Sequence, residues 1–419
     1  MHLRRAWLIW LCCFVLAACA SPASTPVATA TLPPPKNQTT LVIWHAFGGS
    51  EEFLYDDMLQ SIAAANGFTV VIQRMPMATM LDDVSSAWRN AKGPHIVILN
   101  NSHAIALAQR GLSLQLDAIV SAPRRDAIVQ QVRDTTRYTN ADGTTGWYGV
   151  PLTYALPVLY YNAHSVLQPP QTTDDLLTMA RALHNPPDWG LGADISFDTL
   201  GGYLAGYDGA VFDTTNHVVL GTSGRAGAER WLTWLAGLNA DADLLTNLNG
   251  ILRVERTVGA GQLALVIDSS ARSSIYQQVW GEAMGIAPLP RDRAASGPPA
   301  PLLSSTVLVL NKRLTADEVR AAQSLIDGLL STERQQVLAQ NGIQPVNRTI
   351  DTTNLPTVLA IQAATANAVA APPELLRYDV QRVIQSAIRK VLAGVDTPTD
   401  AVTTADSQLR AIVEGTNQP

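Results

Sequence analysis

Thr40-Leu41-Val42-Ile43-Trp44, then Gly48-Gly49-Ser50, then Phe53, Leu54, Met58 and Ile62 decide the fold of this 419-residue chain. The first five form a nearly continuous apolar run, as a strand buried on both faces requires. The glycine pair supplies a turn, and the apolar residues beyond it recur at helical spacing. Strand, turn and helix make a βα unit, and the alternation continues. Phe68 to Ile72 reads as a strand, Met80, Leu81, Val84, Ala87 and Trp88 as one face of a helix, and His95 to Leu99 as a strand. Ala104 to Arg110 reads as a helix capped by Asn101 or Ser102 and stopped at Gly111. This order predicts an α/β fold with a mostly parallel sheet covered by helices on both faces. Ligands of such sheets bind beyond the carboxyl ends of the strands, which directs attention to loops 45–51 and 100–103.

The body from Leu41 to Pro419 is more chain than one hydrophobic core usually serves, so two lobes are expected. A composition of 47% hydrophobic and 15% charged residues is that of a globular protein. The formal net charge is -6 and no Lys/Arg cluster follows the first residues, which argues against nucleic acid as a partner. The three cysteines are Cys12, Cys13 and Cys19, so the body holds no thiol for a disulfide or a metal.

Ahead of the body, Arg4-Arg5, the apolar run Ala6 to Val15 and the small residues before Cys19 have the three parts of a secretory signal. The run is too short to span a bilayer as a helix. Ala20 to Thr40, rich in Ala, Ser, Thr and Pro with Pro33-Pro34-Pro35 near its end, reads as a disordered tether. The ending Leu16-Ala17-Ala18-Cys19 resembles the bacterial lipoprotein cleavage box. That resemblance implies cleavage before Cys19, acylation of its thiol, and a mature protein lipid-anchored outside the cytoplasm. An ordinary signal cut at an A-x-A site is the alternative, and Arg4-Arg5 also suits a twin-arginine export route.

Within the body, a series of motifs is more specific. Gly149-Val150-Pro151-Leu152-Thr153-Tyr154, Val158-Leu159-Tyr160-Tyr161-Asn162, and Pro169-Pro170-Gln171-Thr172 before a helix at Asp174 stand in order. Pro94 to Leu99, Gly209 to Asp213, the helix Ala228 to Leu238, Gly261 to Asp268 and Gly285 to Pro290 belong with them. So do the strand Val307 to Leu310, Ser331 to Gln336, and Gly342-Ile343-Gln344-Pro345-Val346. In this order they resemble family 1 extracellular solute-binding proteins, the sugar-type substrate-binding components of ABC importers, over nearly the whole body. The resemblance implies a two-lobe periplasmic-binding-protein-like fold of type II, closing on a ligand at the hinge. It implies a first lobe of residues 41–150 plus 304–330 and a second of 151–301 plus 331–419. The partners implied are a small solute, a sugar above all, and ABC permease subunits, with the binding protein a monomer. No cofactor, metal or catalytic residue is implied.

Sugar recognition needs aromatic faces against C–H surfaces and planar polar groups for the hydroxyls. His45, Phe47 and Glu51 follow the first strand, and Asn100, Asn101 and Ser102 follow the third. By the resemblance, Tyr154 lies just past the hinge, Asp268, Ser269 and Arg272 follow another strand, Phe197, Asp198 and Tyr203 lie in a contact-supplying region, and Tyr378 stands where an aromatic is common. Two positions depart from the family pattern: Leu99 and Ala271 stand where relatives carry aromatics, which reduces stacking surface. Arg272 beside Asp268 suits a carboxylate or phosphate, so a phosphorylated or acidic ligand stays open.

Each candidate also has a structural reading. Phe47, Phe197 and Tyr203 suit a core, Asn100, Asn101 and Ser102 a helix cap, and Asp268 a cap of its own turn. Tyr160-Tyr161 lies in an apolar strand whose alternation turns only one ring outward, which favours core over metal ligand. Enzymatic readings find little support. Glu51, Glu52, Asp56 and Asp57 form the acidic first turn and solvated face of one helix. The histidines lack metal-ligand spacing, and Gly221-Thr222-Ser223-Gly224 is neither a nucleophile elbow nor a P-loop. The rival class is a binding module for sensing or adhesion, uncoupled from transport.

Overall fold

A computed structural model describes residues 38–246 and 256–415. The expected signal, Cys19 and the tether as far as residue 37 lie outside the described residues.

Strand β1 (Thr40–His45) runs through a turn into helix α1 (Ser50–Ala65). Gly49 makes that turn at φ 63°, a left-handed value that a Cβ would strain. Tyr55, Met58, Leu59, Ile62 and Ala63 form the buried stripe of α1, at spacings of three and four along one face. Each large side chain so buried contributes roughly 1.5–3 kcal/mol. The alternation continues through β2 (Thr69–Arg74), α2 (Met77–Arg89), β3 (Ile96–Asn100) and α3 (Asn101–Gln109). Helix α3 starts earlier than expected because Asn100 caps it, its Oδ1 accepting the His103 backbone N–H at 2.9 Å.

The remaining strands are β4 (Arg137–Thr139), β5 (Thr145–Trp147), β6 (Val150–Ala155), β7 (Pro157–Asn162), β8 (Trp189–Ala193), β9 (Leu244–Leu245), β10 (Leu263–Ser269), β11 (Met284–Ala287), β12 (Leu302–Leu310) and β13 (Val369–Ala370). The first sheet has the order β13-β12-β3-β1-β2, with β6 also on β12, and the second has the order β11-β7-β10-β8-β9. The βαβ units give parallel cores, β2-β1-β3 and β9-β8-β10. Antiparallel strands are added to both: β12 against β3 and β6, and β7 against β10 and β11.

Strand alternation distributes side chains between separate cores. Ile96 and Ile98 of β3, with Leu308 and Leu310 of β12, join Leu41 and Ile43 over α1 and the helix Ala316–Leu329. Val97, Leu99, Val307 and Val309 face the opposite way and pack with Met80, Val84 and Trp88 of α2 and Leu107 of α3. In the second sheet Val158 and Tyr160 join the first core, whereas Leu159, Leu265 and Ile267 face the helices Arg225–Ala240, Tyr378–Leu392 and Pro398–Gly415. Backbones approach closely where helix Thr173–Leu183 crosses β8: a Cβ on Gly190 would fall 1.7 Å from the Ala180 carbonyl oxygen. Because one core runs from Leu41 and Ile98 to Tyr160 and Val266, residues 39–419 form a single compact unit that carries both sheets.

Strand β6 belongs to the first sheet, so the chain leaves that sheet at Leu156, later than the 150/151 boundary expected from sequence. The return begins at Leu302, where β12 starts, ahead of the expected Ser304. Residues 331–347 were expected with the second lobe but attach to β6. Gln335 is wholly buried, and its Nε2 donates to the Leu152 and Leu329 carbonyls while its Oε1 accepts from Val346 N–H. A buried amide needs four such partners, and β6 supplies one of them.

Candidate ligand-binding site

The loop after β1, the end of β3, the middle of β6 and β12, the turn after β10 and the loop 341–344 converge on one cleft of about 450 Å³. Gly48, Ser50, Glu51 and Leu54 come from the first loop and α1, and Asn100 from the end of β3. Thr153, Tyr154 and Ala155 come from β6, and Ser304, Ser305 and Thr306 from β12. The turn after β10 and the helix Ser273–Trp280 contribute Ser270, Ala271 and Ser274, and the last wall is Asn341 to Gln344. The lining is mostly short hydroxyl and amide side chains, which exchange donors and acceptors readily with a hydroxylated solute.

Several of the expected residues meet there. Glu51 is partly buried, and burial pushes its carboxyl above the ordinary range. Asn100 reaches the cleft while its Oδ1 accepts from the His103 N–H and from the Ser102 hydroxyl at 2.8 Å, so Ser102 supports a cap rather than the wall. Tyr154 lines the cleft although almost wholly buried; its hydroxyl accepts from Gln344 Nε2 at 2.9 Å, and burial raises its pKa.

The others lie elsewhere. His45 is buried, with Nδ1 accepting the Phe47 backbone N–H at 3.1 Å and Nε2 3.1 Å from Asp56 at an angle that forms no hydrogen bond. Burial lowers its pKa, so the ring is neutral and serves the turn after β1. Phe47 stacks on Tyr55 at 4.1 Å, and Phe197 packs edge-on against Trp231, so both are core. Tyr203 is core too, its hydroxyl donating to the Pro290 carbonyl at 2.9 Å. Asn101 is buried and uses its Oδ1 to accept from Ser305 N–H at 3.1 Å, joining α3 to β12.

Asp268 is committed to its own side of the second sheet. Its Oδ2 accepts from Tyr276 hydroxyl at 2.7 Å and from Arg272 at 3.1 Å, so the guanidinium expected for an anionic ligand is already paired. Ser269 accepts the Tyr160 hydroxyl at its carbonyl and the Ala271 N–H at its Oγ. Tyr160 stacks on Tyr276 at 4.0 Å, and Tyr161 packs on the other core, which accounts for both rings without a metal. Asp198 and Tyr378 are exposed at helix starts, and among the described lining residues neither occurs. Of the two positions lacking an aromatic, Leu99 faces the rear core and leaves the cleft unaltered, whereas Ala271 does line it.

The residues missed in the sequence are chiefly Thr153, Ser270, Ser274, Ser304, Ser305, Thr306 and Gln344. A hydroxyl run such as Ser304-Ser305-Thr306 directly before a buried strand was the available signal. Gln344 stood in a quoted motif with nothing to mark its side chain as a wall of the site.

Comparison with known proteins bears on the family and the fold. A sequence profile for the family described as bacterial extracellular solute-binding protein matches residues 57–369. No curated protein sequence matches the chain. Among solved structures, a maltose/maltodextrin-binding domain of Bdellovibrio bacteriovorus bound to maltotriose superposes with TM-score 0.73 at 18% identity, covering 90% of this chain and 100% of that one. The cyclic alpha-maltosyl-1,6-maltose binding protein of Arthrobacter globiformis gives 0.75 at 17% identity, covering 90% and 100%. A Thermus thermophilus maltotriose binding protein gives 0.75 at 18% identity, covering 89% and 100%. At these identities the likeness is one of fold.

Proposed function

The chain belongs to the bacterial extracellular solute-binding family, and from that premise we propose that it captures a carbohydrate-like solute in the cleft between its two sheets and delivers it to the permease of an ABC importer. The observation that carries this reading is the cleft wall, built of hydroxyl and amide side chains from the first sheet, from the turn and helix after β10 of the second, and from the loop 341–344. A hydroxylated solute that touches both walls favours the state in which they are close together, because only that state makes all the contacts. A membrane partner that recognises the closed state then reads occupancy, and no bond of the solute needs to change. Acylation at Cys19 would hold the body at the outer face of the cell membrane, with the segment from residue 20 to the start of β1 at Thr40 as the tether.

The test is a thermal-shift panel of maltose, maltotriose, other neutral sugars, amino sugars, sugar phosphates, polyols and polyamines. A carbohydrate at a hundredfold over its Kd should add about 2.7 kcal/mol of stability, and small-angle scattering should report compaction on addition. Silence across every carbohydrate-like compound would overturn the proposal.

A further inference from the structure

The charge of the cleft wall is one-sided. Among the described lining residues Glu51 is the one carboxylate, and none is Lys, Arg or His. Among the described residues Glu51 makes no ion pair and no hydrogen bond, and its charge is felt by the buried hydroxyl of Tyr55 one turn further along α1. Gln344, only 6% exposed, is the second open valence. Its Nε2 is given to the Tyr154 hydroxyl, which leaves Oε1 buried in the wall without a donor. Both unmet groups are acceptors. The hydroxyls of Ser274 and Thr306 are adaptable and serve as donor or acceptor, whereas Ser270 already accepts the Leu156 N–H and Ser304 already donates to the Ala155 carbonyl.

A neutral hydroxyl would give Glu51 one hydrogen bond and leave a partly desolvated negative charge without a counter-charge. An ammonium gives it both, with further N–H groups for a second acceptor. We propose that the cleft takes a hydroxylated solute bearing one ammonium group, an amino sugar, with Glu51 as its counter-ion and Gln344 Oε1 as an accepting partner. This rests on the solute-binding reading above and narrows its substrate class. The upward push that burial exerts on the Glu51 carboxyl fits the solute-free state, and a bound ammonium would reverse it.

Calorimetric titration of the protein with glucosamine, glucose and N-acetylglucosamine, and with the β-1,4 disaccharides of each, at a pH where the amine is protonated, separates the possibilities. The amino compounds should bind about tenfold or more tightly than their neutral counterparts, as a charged hydrogen bond warrants, and the advantage should shrink with added salt. Glu51→Gln should erase the preference, bringing each amino sugar to the affinity of its neutral counterpart, and Glu51→Asp should restore part of it. Equal or better binding of the neutral sugars overturns this inference and leaves the solute-binding reading standing. A preference that survives Glu51→Gln overturns the role of Glu51. Binding of neither set overturns the inference and counts against the broader reading as well.

Discussion

Leu156 and Ser270, 114 residues apart, hydrogen-bond each other twice: the Ser270 N–H donates to the Leu156 carbonyl at 2.8 Å, and the Ser270 hydroxyl oxygen accepts the Leu156 N–H at 3.2 Å. Leu156 is the residue between β6 of the first sheet and β7 of the second, and Ser270 opens the turn after β10 and lines the cleft. The crossing between the sheets and the cleft turn are therefore held together by one buried polar pair.

Ser270→Ala keeps the backbone bond and deprives the buried Leu156 N–H of its acceptor. The expected cost is about 1–3 kcal/mol of folding stability, read from the midpoint of urea unfolding. An unchanged midpoint would mean that the side chain contributes nothing to the crossing.

Asp268→Ala removes the acceptor of the Tyr276 hydroxyl, the Arg272 guanidinium and the Ser269 N–H, whose oxygens and nitrogens lie at 2.7, 3.1 and 2.7 Å. The expected loss is stability, again about 1–3 kcal/mol, with solute affinity nearly preserved. A variant that keeps its melting temperature and loses affinity would return Asp268 to the wall of the site.

Alkaline pH should unfold the protein through its buried tyrosines. Burial raises the pKa of Tyr160, Tyr203 and Tyr276, and the charge of Asp268 raises Tyr160 and Tyr276 further. The folded state thus holds these protons more tightly than the unfolded chain, where tyrosine titrates near about 10. Their contribution to stability is complete below that value and is lost as pH climbs above it. Ultraviolet difference titration should find the three ionising only together with loss of circular dichroism. Reversible ionisation in a still-folded protein would refute the assignment.

Cys19→Ser removes the thiol on which the proposed acylation depends. Metabolic labelling with a fatty-acid analogue should disappear, and the protein should remain unprocessed or leave the membrane fraction. Labelling equal to that of the unaltered protein would exclude Cys19 as the anchor.

The apolar runs at Thr40–Trp44, Phe68–Ile72 and His95–Leu99, and the helical stripes between them, were sufficient by themselves to give β1 through α3 to within a few residues, because both signals are local. Full burial of β3 was legible for the same reason: a strand apolar at every position has two faces to cover, and Ile96 and Val97 do go to different cores. The loops at the ends of β1 and β3 were likewise placed from topology alone, and Glu51 and Asn100 reach the cleft from them.

What tertiary structure alone decided is which side chains share a wall. Phe47, Phe197 and Tyr203 are chemically as fit for a sugar as for a core, and only the rings of Tyr55, Trp231 and Trp234 against them assign them to the interior. Arg272 was free to meet an anion until Asp268 met it first. Ser304 and Thr306 reach the cleft through the pairing of β12 with β6, about a third of the chain away, and through a register shift between Thr306 and Val307, whereas the Ser305 hydroxyl turns the other way to Thr135. A side chain's face in a strand is fixed by partners remote in sequence, and a shift of one residue reverses it. Sequence periodicity therefore determined the layers of this protein, and the register between distant strands determined its site.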